Sequence, residues 1–110
     1  MSLDDQTTRI RDLNDAFRKS MARDVYLTAG VAALTAQSQE EVIRQVKTFD
    51  AFTGDNDPHG EHDFGAFECA GQKFFWKIDA YDQNLEYGSD DPTDPTKTRR
   101  VMTIMLASEY

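Results

Sequence analysis

The sequence predicts an α+β domain, with two amino-terminal helices packed on a small, mainly antiparallel sheet of three to four strands. Three observations carry this. Apolar residues recur at three- and four-residue steps in the first half and alternate in the second, and a loop broken by glycine and proline separates the two regimes. The order helix, short strand, helix, then strands with no helix between them places the helices on one face of an antiparallel sheet. A chain of 110 residues, 39% hydrophobic and 11% aromatic, has the size and composition of one folded domain. We read residues 1–110 as that single domain, with a helical half at about 7–50 and a sheet half at about 64–106.

Residues Thr8 to Met21 read as an amphipathic helix. Ile10, Leu13, Phe17 and Met21 form its apolar stripe with Ala16 on the same side, and Arg9, Arg11, Asp12, Asp15, Arg18 and Lys19 fill the other faces. Val25 to Thr28 is β-branched and aromatic, a short strand, and Gly30 to Thr35 forms a helical turn. Ser38 with Glu41 three residues later has capping-box spacing and starts a second helix, whose stripe is Val42, Ile43, Val46 and Phe49. Gly54, Pro58 and Gly60 then break the helical pattern in the loop from Asp50 to Asp63.

The strands Phe64 to Ala70 and Lys73 to Asp82 flank Gly71-Gln72, a hairpin turn in which Gly supplies the positive φ. On the second strand Phe74, Trp76, Ile78 and Ala80 share the core face, while Phe75, Lys77, Asp79 and Tyr81 share the other. A turn-rich connection, Gly88 to Thr98, holds Asp91-Pro92 and Asp94-Pro95, and Val101 to Leu106 is the last strand.

Charge divides the chain unevenly. The segment from Asp50 to Pro95 carries twelve Asp/Glu against Lys73 and Lys77 alone, a net of −10, while the remainder carries ten Lys/Arg against eight Asp/Glu. A total of −8 argues against general nucleic-acid binding and against docking on anionic membranes. It favours basic partners, cations, or a protein surface that normally grips nucleic acid. No apolar run approaches the roughly 20 residues of a membrane span. The polar start, Met1 to Gln6, is not a secretory signal, and the single Cys69 suits a reducing cytoplasm.

The densest chemistry lies in Asn56-Asp57-Pro58-His59-Gly60-Glu61-His62-Asp63-Phe64-Gly65, which holds both histidines of the chain. This stretch, Trp76-Lys77-Ile78-Asp79-Ala80-Tyr81-Asp82, and the run from Arg100 to Tyr110 together resemble a family of short bacterial proteins classed as a domain of unknown function. The resemblance extends through Ile10 to Asp15. It implies members on bacterial chromosomes, plasmids or phages, and brings no established activity. His59 stands where many relatives carry an aromatic residue and Ala80 where they carry Tyr, which speaks against a site that depends on His59.

Two functional readings follow. In the first, the chain binds without catalysing. Asp55, Asp57, Glu61, Asp63, Asp82, Asp90, Asp91 and Asp94 present a negative surface to a basic protein, and that protein is a nucleic-acid-binding complex inhibited by a phosphate-like mimic. No cofactor is needed. In the second, a divalent-metal hydrolase centres on Glu61-His62-Asp63, with His62, Asp63, Asp79 and Asp82 as ligands and His62 oriented by Asp79 as general base. In a third, purely structural role, His62 pins the loop to the sheet beside Asp79. The calcium-loop start at Asp55, Asp57 and Gly60 fails because its twelfth position is Ala66 and a strand follows. Ser89 and Thr103 sit in no nucleophile-elbow pattern, Cys69 alternates within an apolar strand, and no Gly-rich phosphate loop is present.

Overall fold

The computed structural model describes residues 3–110. Among these residues the elements are α1 (Leu3–Ser20), β1 (Val25–Leu27), α2 (Ala29–Ala32), α3 (Ala36–Lys47), β2 (Phe64–Cys69), β3 (Gln72–Tyr81), β4 (Arg99–Leu106) and a closing 3-10 turn, Ala107–Glu109. The fold is α+β, with the helices preceding most of a four-stranded sheet in the order β1-β4-β3-β2. β2 pairs with β3 and β3 with β4 antiparallel, and only β1 joins in parallel, along β4. No helix among the described residues is long and apolar enough to cross a membrane.

Helix α1 begins earlier than its apolar stripe indicates. Asp4 and Asp5 in the first turn and Arg18 and Lys19 in the last complement the helix dipole, a signal that hydrophobic periodicity does not register. The face it buries also differs from expectation. Asn14 and Arg18 are the buried residues, at 4% and 1% exposure, whereas Ile10, Leu13, Phe17 and Met21 are half-buried and Ala16 is exposed. The reason is what α1 packs against. Its neighbours present backbone carbonyls, and a carbonyl removed from water requires a donor. Arg18 Nη1 donates to Val46 O at 2.7 Å and Lys47 O at 3.2 Å, satisfying the carbonyl end of α3.

The capping box at Ser38 and Glu41 does not form. Thr35 caps α3, its Oγ1 accepting from Ser38 N at 3.1 Å, and Glu41 instead pairs with Arg44 and accepts from Gln45. Thr35 and Ser38 are chemically equivalent caps. Chain geometry selects the first, because Gln39, one turn into α3, donates to the freed carbonyls of Val31, Ala32 and Leu34 at the end of α2.

The hairpin turn is Ala70-Gly71, one residue before the predicted pair. Both residues have positive φ, 53° and 77°, as the favoured two-residue turn requires. The registers Cys69↔Gln72 and Phe67↔Phe74 follow, with the Phe67 and Phe74 rings stacked at 5.5 Å on the core face. A one-residue slip would turn one strand's whole apolar set outward. The core joins Phe74, Trp76, Ile78, Met102 and Ile104 of the sheet to Val31, Val42, Val46 and Phe49 of the helical half, while Ile43 and Ala80 stay half-exposed. Gly65 lies opposite Trp76, where a Cβ would approach Nε1 to 2.3 Å, so no larger residue fits. The carboxyl terminus is tied back by Glu109, which accepts from Thr28 Oγ1 at 2.6 Å and Gly30 N at 2.9 Å.

Candidate functional site

The acidic loop is held by α1. Residues 11, 14, 15 and 18 are spaced i, i+3, i+4, i+7, so one helix face carries all four side chains. Arg11 Nε donates to Gly60 O at 2.8 Å and Asn14 Nδ2 to Glu61 O at 2.9 Å. Asp15 Oδ1 lies 2.9 Å from His62 Nδ1 and 3.0 Å from Arg18 Nη2. Upstream, the loop builds its own turn. Asn56 Oδ1 accepts from Thr53 N at 2.9 Å, Asp57 N donates to Thr53 O at 2.8 Å, and Asp57 Oδ1 accepts from His62 N at 3.2 Å. These are the Asx-type bonds that short polar side chains supply where a chain reverses.

His62 closes the assembly. It adopts the left-handed backbone (φ 53°), which costs a non-glycine residue free energy and persists only where the surroundings enforce it. Its ring stacks on Phe52, centroids 3.6 Å apart and planes 3° from parallel. Phe52 in turn meets Phe49 and Trp76 edge-on, and the Arg18 guanidinium lies 5.0 Å from the Trp76 ring. His62 Nε2 lies 3.6 Å from Asp57 Oδ2, so both ring nitrogens face carboxylates. Arg18 Nε and Trp76 Nε1 are buried in this cluster without a hydrogen-bond partner among the described residues.

The predicted pairing of His62 with Asp79 or Asp82 is not formed. Strand alternation turns Asp79 to the face of β3 away from the helices, where its carboxylate lies 3.3 Å from Lys77 Nζ. Asp82 lies beyond the strand and accepts from the backbone of Asn84 and Glu86. The loop meets β3 through its backbone instead, with Ile78 N donating to Asp63 O at 2.8 Å. Among the described residues, no group of three or more His, Cys, Asp and Glu side chains is disposed to hold a metal ion.

The eight acids of the predicted surface divide by role. Asp57 is buried at 8% exposure and serves the loop's interior. Asp82, Asp91 and Asp94 are half-buried turn residues, Asp91 and Asp94 accepting from Thr93 and Thr96 respectively. Asp55 and Asp90 are exposed. Glu61 and Asp63 are half-buried with both carboxyls pushed above their ordinary range: Glu61 by burial and then by Asp63, Asp63 by burial and then by Asp57. The neighbouring His59 opposes the rise in both, and Asp79 adds to that of Asp63.

Sequence reasoning missed Asn14, Asp15, Arg18, Phe52 and Arg100. Asn14 joins two distant segments, since its Oδ1 accepts from Arg100 Nε at 2.7 Å while its amide holds Glu61 O. The helical spacing of residues 11, 14, 15 and 18 was the one available signal, and polar residues at helical spacing ordinarily face water.

Fold and site define a small α+β domain whose first helix buttresses an acidic, histidine-centred loop. The chain belongs to the family described as protein of unknown function (DUF3768), which matches residues 27–109. The matched stretch covers the loop, the hairpin and β4, and begins after α1 and its Ile10–Asp15 segment. No curated protein and no solved structure matches the chain.

Proposed function

We propose that this protein acts by binding, presenting the acidic loop and its neighbouring turns to a basic protein surface. The observation that supports it is the half-burial of Glu61 and Asp63 in a loop that also holds Asp57, where burial first and the neighbouring carboxylates second raise both carboxyls and work against folding. A basic partner would relieve this repulsion. In the finer form of the proposal the partner is a nucleic-acid-binding complex whose cationic groove accepts the loop in place of phosphates. The geometry favours this reading over the divalent-metal hydrolase, because both ring nitrogens of His62 already face Asp15 and Asp57.

The test neutralises only acids that hold no turn: Asp55→Asn, Glu61→Gln, Asp63→Asn and Asp90→Asn in one variant. Pull-down from bacterial host lysate with the wild-type chain should retain a partner at low salt. Release should follow as the screening length falls from about 10 Å at 0.1 M to 3 Å at 1 M. The variant should associate more slowly with an unchanged fold. Equal capture by the variant at low salt would overturn electrostatic recognition. Failure of DNA and RNA to compete for the partner would overturn the mimic form and leave a protein–protein interface.

A further inference from the structure

Three of the chain's twelve basic residues meet in one place. At the start of β4, Arg23, Arg99 and Arg100 line a single cleft of about 180 Å³ walled by Leu13, Phe17 and Pro95. Asp24 is the carboxylate of the lining, and it accepts from Arg99 Nε and Nη2, both at 3.0 Å. Three guanidiniums therefore stand against one carboxylate, in a chain whose net charge is −8.

Each of these arginines has donors left over. Arg99 spends Nε and Nη2 on Asp24, and Arg100 spends Nε on Asn14 Oδ1 and Nη2 on Pro92 O. Neither Nη1 has a hydrogen bond among the described residues, and neither is among the buried atoms that lack one, so both open to solvent. Arg23 is exposed and makes none among the described residues. An N–H that water reaches can exchange that water for the oxygen of an anion, and a charged donor makes the stronger bond. Burial and then the nearby Arg9 push Arg100 below its ordinary range, with Glu61 as the opposing neighbour.

We propose that this cleft binds the phosphate group of a small molecule. One planar carboxylate is satisfied by a single guanidinium fork, whereas a tetrahedral dianion takes donors from several directions. Here the arginines come from two segments that meet at the cleft, the turn before β1 and the start of β4. The volume lies below the roughly 300–1,000 Å³ of sites for drug-sized ligands, which limits the occupant to a phosphate with at most a small body against Leu13, Phe17 and Pro95. The acidic surface at large would repel a polynucleotide and leaves this recess to a compact anion.

The experiment is a phosphorus NMR and calorimetric titration of the full chain with inorganic phosphate, methyl phosphate and acetate, at ionic strength fixed with sodium chloride. Saturable binding of a phosphate, weakened about tenfold or more in Arg23→Gln, is expected. Arg23 is exposed, so that variant should retain the wild-type fold, and Arg100→Lys, which keeps the charge but loses the fork, provides a second reading if folded. Tighter binding of methyl phosphate than of inorganic phosphate would support an organic phosphoester as the occupant, and equal binding would support free phosphate. Absence of saturation, equal affinity in Arg23→Gln, or acetate competing as well as phosphate would overturn the proposal.

Discussion

His62 owes its position to three partners: Asp15 on α1, and Asp57 and Phe52 in its own loop, the latter beneath its ring. Removing the ring breaks the Nδ1 bond to Asp15, takes Nε2 from beside the buried Asp57 carboxylate, which keeps the His62 backbone donor, and uncovers Phe52. His62→Ala should therefore destabilise the chain by about 1–3 kcal/mol, the cost of losing a hydrogen bond to a carboxylate together with the ring stacked on Phe52. Urea denaturation should show the same loss with and without a chelator, since the partners are carboxylates of the chain itself. An unchanged transition midpoint, or a loss that a chelator reproduces in the wild type, would reject this account. That His62 pins the loop was legible in the sequence only as one of three readings, with the sheet beside Asp79 as the anchor. Its partner was not, because Asp15 is 47 residues away and no local pattern joins the two.

At the scale of elements, the helices and strands lie near where periodicity places them, and the differences arise at their ends. α3 shows why. Two hydroxyl residues three apart can each cap a helix, and local chemistry does not rank them. Because Thr35 Oγ1 is the acceptor for Ser38 N, Thr35→Ala should cost about 1 kcal/mol, while Ser38→Ala should cost about 0.5 kcal/mol or less. Thermal unfolding of the two variants decides between the caps, and the reverse order would restore the box at Ser38 and Glu41. The hairpin turn is a similar case. Gly71 marked its location, but Ala70 at φ 53° accepts a strained backbone so that Phe67 can face Phe74 in the core.

For the whole molecule, charge couples folding to pH in two opposed directions. Glu61 and Asp63 have folded-state values raised above the ordinary 4.5 and 3.8, chiefly by burial, so the folded chain binds protons more readily than the unfolded one. Stability from these two groups falls as pH rises from about those ordinary values through the raised ones. Asp24, Glu41, Asp94 and Glu109 are lowered, each first by a side-chain hydrogen bond, from Arg99, Arg44, Thr96 and Thr28 respectively. Their contribution is present above the ordinary carboxylate values and is lost as pH falls through the lowered ones. Stability should therefore peak in the mildly acidic range rather than at neutrality. Glu61→Gln with Asp63→Asn should raise the midpoint at pH 7 by about 0.2–1 kcal/mol, screened as these half-buried groups are, and should flatten the decline toward neutrality. Melting curves from pH 4 to 8 provide the check, and a variant no more stable than wild type at pH 7 would dismiss the crowding. By itself the sequence determined the α+β class, the hairpin, the core stripe of β3 and the location of the acidic segment, because periodicity, turn chemistry and charge are local properties of a chain. Tertiary structure alone decided that α1 buries Asn14 and Arg18, that Asp79 lies apart from His62, and that Arg23, Arg99 and Arg100 share one cleft. Those outcomes depend on which carbonyls, carboxylates and strand faces the folded chain brings within about 3 Å of a donor, the reach of a hydrogen bond.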